Sequence, residues 1–129
     1  VPVDVLKTLS ERDYTVIINL MPHDDEYAVI NEQVIVEDLG ITYINIPVEF
    51  DNPQISEVEL FFHELDNMGN ARVHIHCAAN WRVSAFLGMY RVKKGIWNAD
   101  QAAQFITSIW TPRDYPAWIE LLGHYSIEI

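Results

Sequence analysis

The stretch His76-Cys77-Ala78-Ala79-Asn80-Trp81-Arg82-Val83-Ser84 concentrates the side chains of this chain that could do chemistry. Cys77 is the only cysteine, so no internal disulfide can form and a reduced thiol is its default state. A β-branched run, Val73-His74-Ile75-His76, leads into it, and helical periodicity resumes a few residues later. A cysteine at the carboxyl end of a strand, with a helix starting behind it, sits where open parallel sheets bind their ligands. Loop amides there turn their N–H groups inward and the helix amino terminus adds positive potential, so an oxyanion can be held without net basic charge. The same field, with Arg82 close by, favours thiolate over thiol and turns the sulfur into a nucleophile. The planar guanidinium of Arg82 would add a bidentate contact to the anion's oxygens.

The elements that must position this segment can be read from periodicity. Apolar, β-branched runs at 15–20, 43–48 and 72–77 are each continuous enough to be buried on both faces, which predicts strands of a parallel sheet. Between them, helical spacing covers 3–10, 26–39 ending at Gly40, and 57–68 ending at Gly69, with Ser56 as the expected cap. After Cys77 the chain reads as helix over 82–94, 99–109 and 115–124, broken at Gly95 and at Thr111-Pro112. The alternation predicts an α/β fold, a central and mostly parallel sheet flanked by helices. Three strands are few for an open sheet, so a further strand upstream of Val1 is expected.

A chain of 129 residues, half of them hydrophobic, predicts one domain over 1–129. Nineteen Asp plus Glu against eight Lys plus Arg argue against a nucleic-acid or anionic-membrane partner, because attraction to phosphate backbones needs the opposite sign. Any anion must be caught locally. The expected partner is a phosphorylated small molecule or phosphopeptide, with a phosphate- or sulfate-like anion in the loop. No cofactor is called for, and nothing specifies an oligomeric state. No apolar window is long enough to span a bilayer and no signal-peptide pattern opens the chain, so a cytoplasmic protein is expected; the start at Val1 leaves a cleaved export signal open.

At the nine residues from His76 the chain resembles the protein tyrosine and dual-specificity phosphatases, and more closely a bacterial family of small phosphatase-like proteins. The resemblance covers most of the chain and implies their three-layer architecture. His76, Cys77, Arg82 and Ser84 match the family in kind. It implies that Cys77 attacks phosphorus, Arg82 binds the phosphoryl oxygens, His76 supports the thiolate and Ser84 helps the sulfur leave in the second step. Ala78, Ala79, Asn80, Trp81 and Val83 would line the anion. The spacing departs from the family, which has five residues between cysteine and arginine where this chain has four. Either the cradle is tightened and Arg82 still reaches the anion, or the guanidinium points away and the site binds without chemistry. The usual loop glycines are absent, and Asn80 is the expected substitute because Asn tolerates left-handed backbone.

Phosphoester cleavage also needs an acid to protonate the leaving oxygen. Asp51, in Ile46-Pro47-Val48-Glu49-Phe50-Asp51-Asn52-Pro53, follows the second strand in a setting similar to that of the mobile-loop aspartate in dual-specificity phosphatases. Glu49 is the fallback, and Asp24 and Asp25 also follow a strand. The simpler reading of Asp51 is a turn residue beside Pro53. His74 and His76 alternate on one strand near Cys77 but lack a further ligand at metal spacing, so no metal is expected. Trp81 either walls the pocket against an aromatic substrate or packs the loop onto the next helix, the second being simpler. Trp97, Trp110 and Trp118 read as core, and Arg113 as either a second basic contact or a partner of nearby acids. Two other functions remain: a rhodanese-like sulfurtransferase, whose loops can be as short as the one here, and a silent phosphate-binding pseudophosphatase.

Overall fold

The computed structural model describes residues 15–22, 32–69 and 71–129. Its sheet has three parallel strands, β1 (Val16–Asn19), β2 (Thr42–Asn45) and β3 (Val73–His76), in the order β2-β1-β3. The central place of β1 follows from its composition, since all four residues are buried and only an unbroken apolar run can be covered on both faces. Asn19 stands opposite Asn45 on one side and His76 on the other. The expected burial of all three strands on both faces does not hold: β2 and β3 are half-buried, because they lie at the two edges of the described sheet. Pro47 has no N–H to give, so β2 stops before it, although Ile46 and Val48 still donate to Asn19 O and Leu20 O.

Helix α1 (Glu32–Asp38) joins β1 to β2 and α2 (Ile55–Asp66) joins β2 to β3. The first connection leads to one side of β1 and the second to the other, so the strand order reverses between β1 and β3. Crevices at the carboxyl ends of strands open at such a reversal, and Cys77 follows β3 there. α2 starts at Ile55, and its cap lies two residues before the expected Ser56. Glu57 reaches back to accept the Gln54 main-chain N–H at 2.8 Å, so Gln54 takes the capping position. The proposed helix over 3–10 and the segment of 26–39 before Glu32 lie outside the described residues.

The chain then runs through α3 (Trp81–Lys93), α4 (Ala99–Thr107), a 3-10 turn (Pro112–Asp114) and α5 (Pro116–Gly123). Gly95, at φ 73°, ends α3, and Asn98 caps α4 by accepting the Gln101 N–H at 2.8 Å. One sheet face packs Val16 and Ile18 into the main core with Phe61, Phe86, Met89, Ile106, Trp118 and Leu122; the other packs Ile17 against Val36 and Ile41 under α1. α3 and α4 approach closely at Gly88, where a Cβ would stand 2.9 Å from Ile106 Cδ1. Trp110 and Trp118 are buried as expected. Trp97 is not: it sits half-buried at the rim, with the Arg91 guanidinium carbon 4.5 Å from its ring centroid. No helix among the described residues is long and apolar enough to cross a membrane.

Candidate active site

β3 delivers Cys77 to the sheet's carboxyl edge as a buried thiol, 4% exposed, while Ala78, Ala79 and Asn80 are exposed above it. Asn80 adopts φ 64° and ψ 11°, the left-handed turn that brings the chain into α3 at Trp81. An asparagine thus does what the missing glycines would have done. Among the described residues, the main-chain N–H groups of Cys77 through Trp81 meet no hydrogen-bond acceptor. Most backbone donors in a folded protein find a partner, so a run of unused donors at the amino end of a thirteen-residue helix forms a concentrated patch of positive potential.

Arg82 lies in the first turn of α3, 8% exposed, with its guanidinium carbon 5.7 Å from the Phe50 ring centroid. Phe50 directly precedes Asp51, so the ring joins the loop after β2 to the loop after β3. Its ring also meets Trp81 at 5.7 Å, Trp110 at 5.6 Å, Tyr115 at 5.0 Å and Trp118 at 5.6 Å between centroids. Trp118 Nε1 donates to Phe50 O at 2.8 Å, which pins the backbone just ahead of Asp51. Asp51 itself is exposed and lines a small cleft with Phe50, Asp114, Tyr115 and Trp118. Phe50 was not singled out from the sequence; its position, one residue before a candidate acid and far in sequence from its partners, carries no local signal.

Ser84 is buried, and its hydroxyl is already engaged: it donates to Trp81 O at 2.7 Å and accepts from Trp110 Nε1 at 2.9 Å. Trp81 stacks on Trp110, with centroids 5.2 Å apart and planes 10° from parallel, so it packs the loop onto the helical layer. Val83 is half-buried, Glu49 is exposed and Arg113 is exposed on the 3-10 turn. Asp24 and Asp25 lie outside the described residues. No group of three or more His, Cys, Asp or Glu able to hold a metal occurs among the described residues.

Behind Cys77, on the α1 face of the sheet, lies a polar network that the sequence reading did not anticipate. His76, 2% exposed, places Nε2 at 3.3 Å from Oε2 of Glu32, which is itself 4% exposed and opens α1. Asn19 Nδ2 donates to the same Glu32 oxygen at 2.8 Å and to the Tyr43 hydroxyl at 3.1 Å, while Asn19 Oδ1 accepts from Met21 N at 2.9 Å. Asn45 Nδ2 donates to the carbonyls of Asn19 and Met21, both at 2.9 Å. Burial pushes the Glu32 carboxyl up, but the close approach of His76 outweighs it and holds the group below its ordinary value. Burial, followed by the Glu32 charge, raises the Tyr43 hydroxyl, and burial with the neighbouring His76 lowers His74. An acidic residue 44 positions before a histidine offers no local pattern by which the pair could have been found.

No family model matches the chain, and no curated protein matches it. Solved structures do. A phosphatase-like DUF442 protein from Shewanella putrefaciens CN-32 is 35% identical over 97% of this chain and 79% of its own, with a TM-score of 0.88. TpbA from P. aeruginosa shares the fold at 16% identity, covering 98% of this chain and 78% of its own, TM-score 0.74. Tk-PTP in its active form does so at 14% identity, covering 99% and 88%, TM-score 0.76. The three-layer arrangement expected from the His76 to Ser84 segment is therefore the observed one, and this chain belongs to the DUF442 family of phosphatase-like proteins, within the cysteine-dependent tyrosine phosphatase-like fold.

Proposed function

We propose that the chain is a single phosphatase-like domain that hydrolyses a phosphomonoester through a phosphocysteine intermediate. The observation that carries this reading is the loop after β3, where, among the described residues, the N–H groups of residues 77–81 meet no acceptor, Cys77 is buried and Asn80 holds the turn. In the first step the Cys77 thiolate attacks phosphorus; the S–P bond forms as the P–O bond to the leaving group breaks, and Asp51 gives that oxygen its proton. In the second, water attacks phosphorus, Asp51 takes the proton, and the S–P bond breaks to return the thiolate and free phosphate. The loop amides and Arg82 hold the charge that builds on the non-bridging oxygens. Ser84 would aid departure of the sulfur only after its hydroxyl turns away from Trp81 O. A phosphotyrosine-like or small aryl phosphate is the substrate class, a reading supported by the complex of a TpbA cysteine-to-serine variant with pTyr.

The test is Cys77→Ser, assayed with an aryl phosphate and by circular dichroism. Hydrolysis is expected to vanish while the folded signal stays, and unchanged turnover would remove the mechanism. A second reading, a phosphate-binding module without turnover, draws support from the burial of Arg82 against Phe50 and from the engaged Ser84 hydroxyl. Tight vanadate binding without turnover of any phosphoester would favour it. Thiocyanate release from thiosulfate and cyanide would instead favour a sulfurtransferase.

A further inference from the structure

We propose that Glu32 is a positioning residue for the Cys77 nucleophile, acting through His76; the proposal rests on the phosphocysteine reading and deepens it. Glu32 and His76 are almost fully buried, and a buried ionisable pair is seldom more stabilising than apolar side chains of the same volume. Among the described residues, Glu32 Oε1 and both ring nitrogens of His76 also lack an aligned hydrogen-bond partner, an added expense for packing alone. The pair nevertheless has two braces: Asn19 Nδ2 fixes one carboxylate oxygen at 2.8 Å, and the Tyr43 hydroxyl stands beside it.

Location assigns the task. Glu32 meets the ring of the residue directly before Cys77, and the His76 carbonyl accepts the Leu20 N–H at 2.9 Å, so the backbone leading into the loop is held as well. A carboxylate 3.3 Å from Nε2 is placed to orient the imidazole and to favour a proton on that nitrogen, as an ion pair and not as an aligned hydrogen bond. An imidazolium held directly before Cys77 in the chain would favour the thiolate. Among the described residues, the titratable groups around His76 are Glu32 from α1, His74, whose ring centroid is 5.8 Å away, from β3, and Tyr43 from β2, which is linked to it through Asn19 and Glu32. Of these only Glu32 supplies negative charge near neutrality.

Because Cys77 is the sole cysteine, the rate of iodoacetamide alkylation of the whole chain against pH reports on this thiol alone, with no phosphate substrate needed. Glu32→Gln keeps the side-chain shape and removes the charge. Its alkylation profile is expected to move toward higher pH by about one unit, the lower end of what a nearby charge produces. Aryl-phosphate kcat/KM should fall about tenfold on the acid side and recover at alkaline pH, as a shift of one unit implies. If Glu32 works through His76, the profile of Glu32→Gln with His76→Gln must coincide with that of His76→Gln alone. A Glu32→Gln profile superimposed on that of the unmodified chain would overturn the proposal, and so would effects of the two substitutions that simply add. A shifted profile in a chain that turns over no phosphoester would leave the positioning role standing and dismiss the phosphatase reading. Turnover with an unshifted profile would do the reverse. Should Glu32→Gln fail to fold, nitrogen NMR of the unaltered protein decides: a proton on His76 Nε2 supports the pair, and a bare Nε2 overturns it.

Discussion

Phe50→Ala tests whether one aromatic ring couples the proposed acid loop to the anion loop. The ring touches four other aromatic side chains, with centroids 5.0 to 5.7 Å away, and lies against the Arg82 guanidinium. A fully buried Phe costs about 3–5 kcal/mol on truncation to Ala. Phe50 is half-buried, which brings the transfer and cavity part to roughly 2 kcal/mol by the same measure. Losing its edge and tilted ring contacts adds about 0.5–1.5 kcal/mol, less than their sum because Trp81, Trp110, Tyr115 and Trp118 still pack on one another. The expected loss is about 2.5–3.5 kcal/mol, a large share of a typical domain's ~5–15 kcal/mol. The Trp118 Nε1 bond goes to the Phe50 carbonyl and not to its ring, so the substitution removes the ring while leaving the backbone anchor. Urea unfolding followed by tryptophan fluorescence measures the loss, and aryl-phosphate kinetics on the still-folded variant should show kcat falling at least tenfold. A stability change under ~1 kcal/mol with unchanged kcat would refute the coupling.

Three further outcomes are expected. Gly88→Ala gains ~1 kcal/mol of helix propensity but forces a Cβ to 2.9 Å from Ile106 Cδ1, an overpacking cost of ~1–3 kcal/mol; the change should be neutral to destabilising alone and turn stabilising beside Ile106→Val, and equal effects in both backgrounds would deny the close contact. His74 is held below its ordinary value of 6.5, by burial first and then by His76, so the unfolded chain takes up a proton that the folded one refuses; the melting temperature should fall as pH drops below 6.5, and His74→Gln should flatten that slope. A dianionic aryl phosphate approaches a chain of formal charge -11, so its kcat/KM should rise as added salt shortens the screening length from ~30 Å at 0.01 M to ~8 Å at 0.15 M; a steep fall would point to a basic steering surface.

What could be read in advance was what lies close together in the chain. The β-branched runs ending at Leu20 and Cys77, the helix stops at Gly40, Gly69 and Gly95, and the left-handed turn at Asn80 each depend on a few neighbouring residues, and each is where the periodicity and turn chemistry put it. The misses have a common cause. Gln54 displaced Ser56 as cap because Glu57 reaches back to it, a choice settled by side-chain reach that residue type alone does not rank. The edge positions of β2 and β3 depend on strand order, which no single run encodes. Phe50 meets Trp118 across 68 residues, and His76 meets Glu32 across 44; such pairs exist only after the sheet and helices have assembled. Ser84 matched the family in kind, yet a tryptophan 26 residues later occupies its hydroxyl.

The acidic composition and the proposed anion loop oppose one another, and the difference in their range reconciles them. Net charge repels a dianion at distances of a Debye length or more, where salt weakens it. In the proposed mechanism the amides of residues 77–81, which meet no acceptor among the described residues, would act at hydrogen-bond distance, where salt has little effect. A carboxylate buried close behind such a loop should spoil it. But Glu32 lies on the α1 side of the sheet, 3.3 Å from His76 Nε2 and held by Asn19, while Cys77 packs into the core on the other side. Arg82 adds one fixed cation in the first turn of α3, held beside Phe50. A surface rich in Asp and Glu is then no obstacle to phosphate chemistry. Under the proposed mechanism, long-range repulsion disfavours polyanions, while a small phosphorylated group close to Cys77 would be held by the amides of residues 77–81.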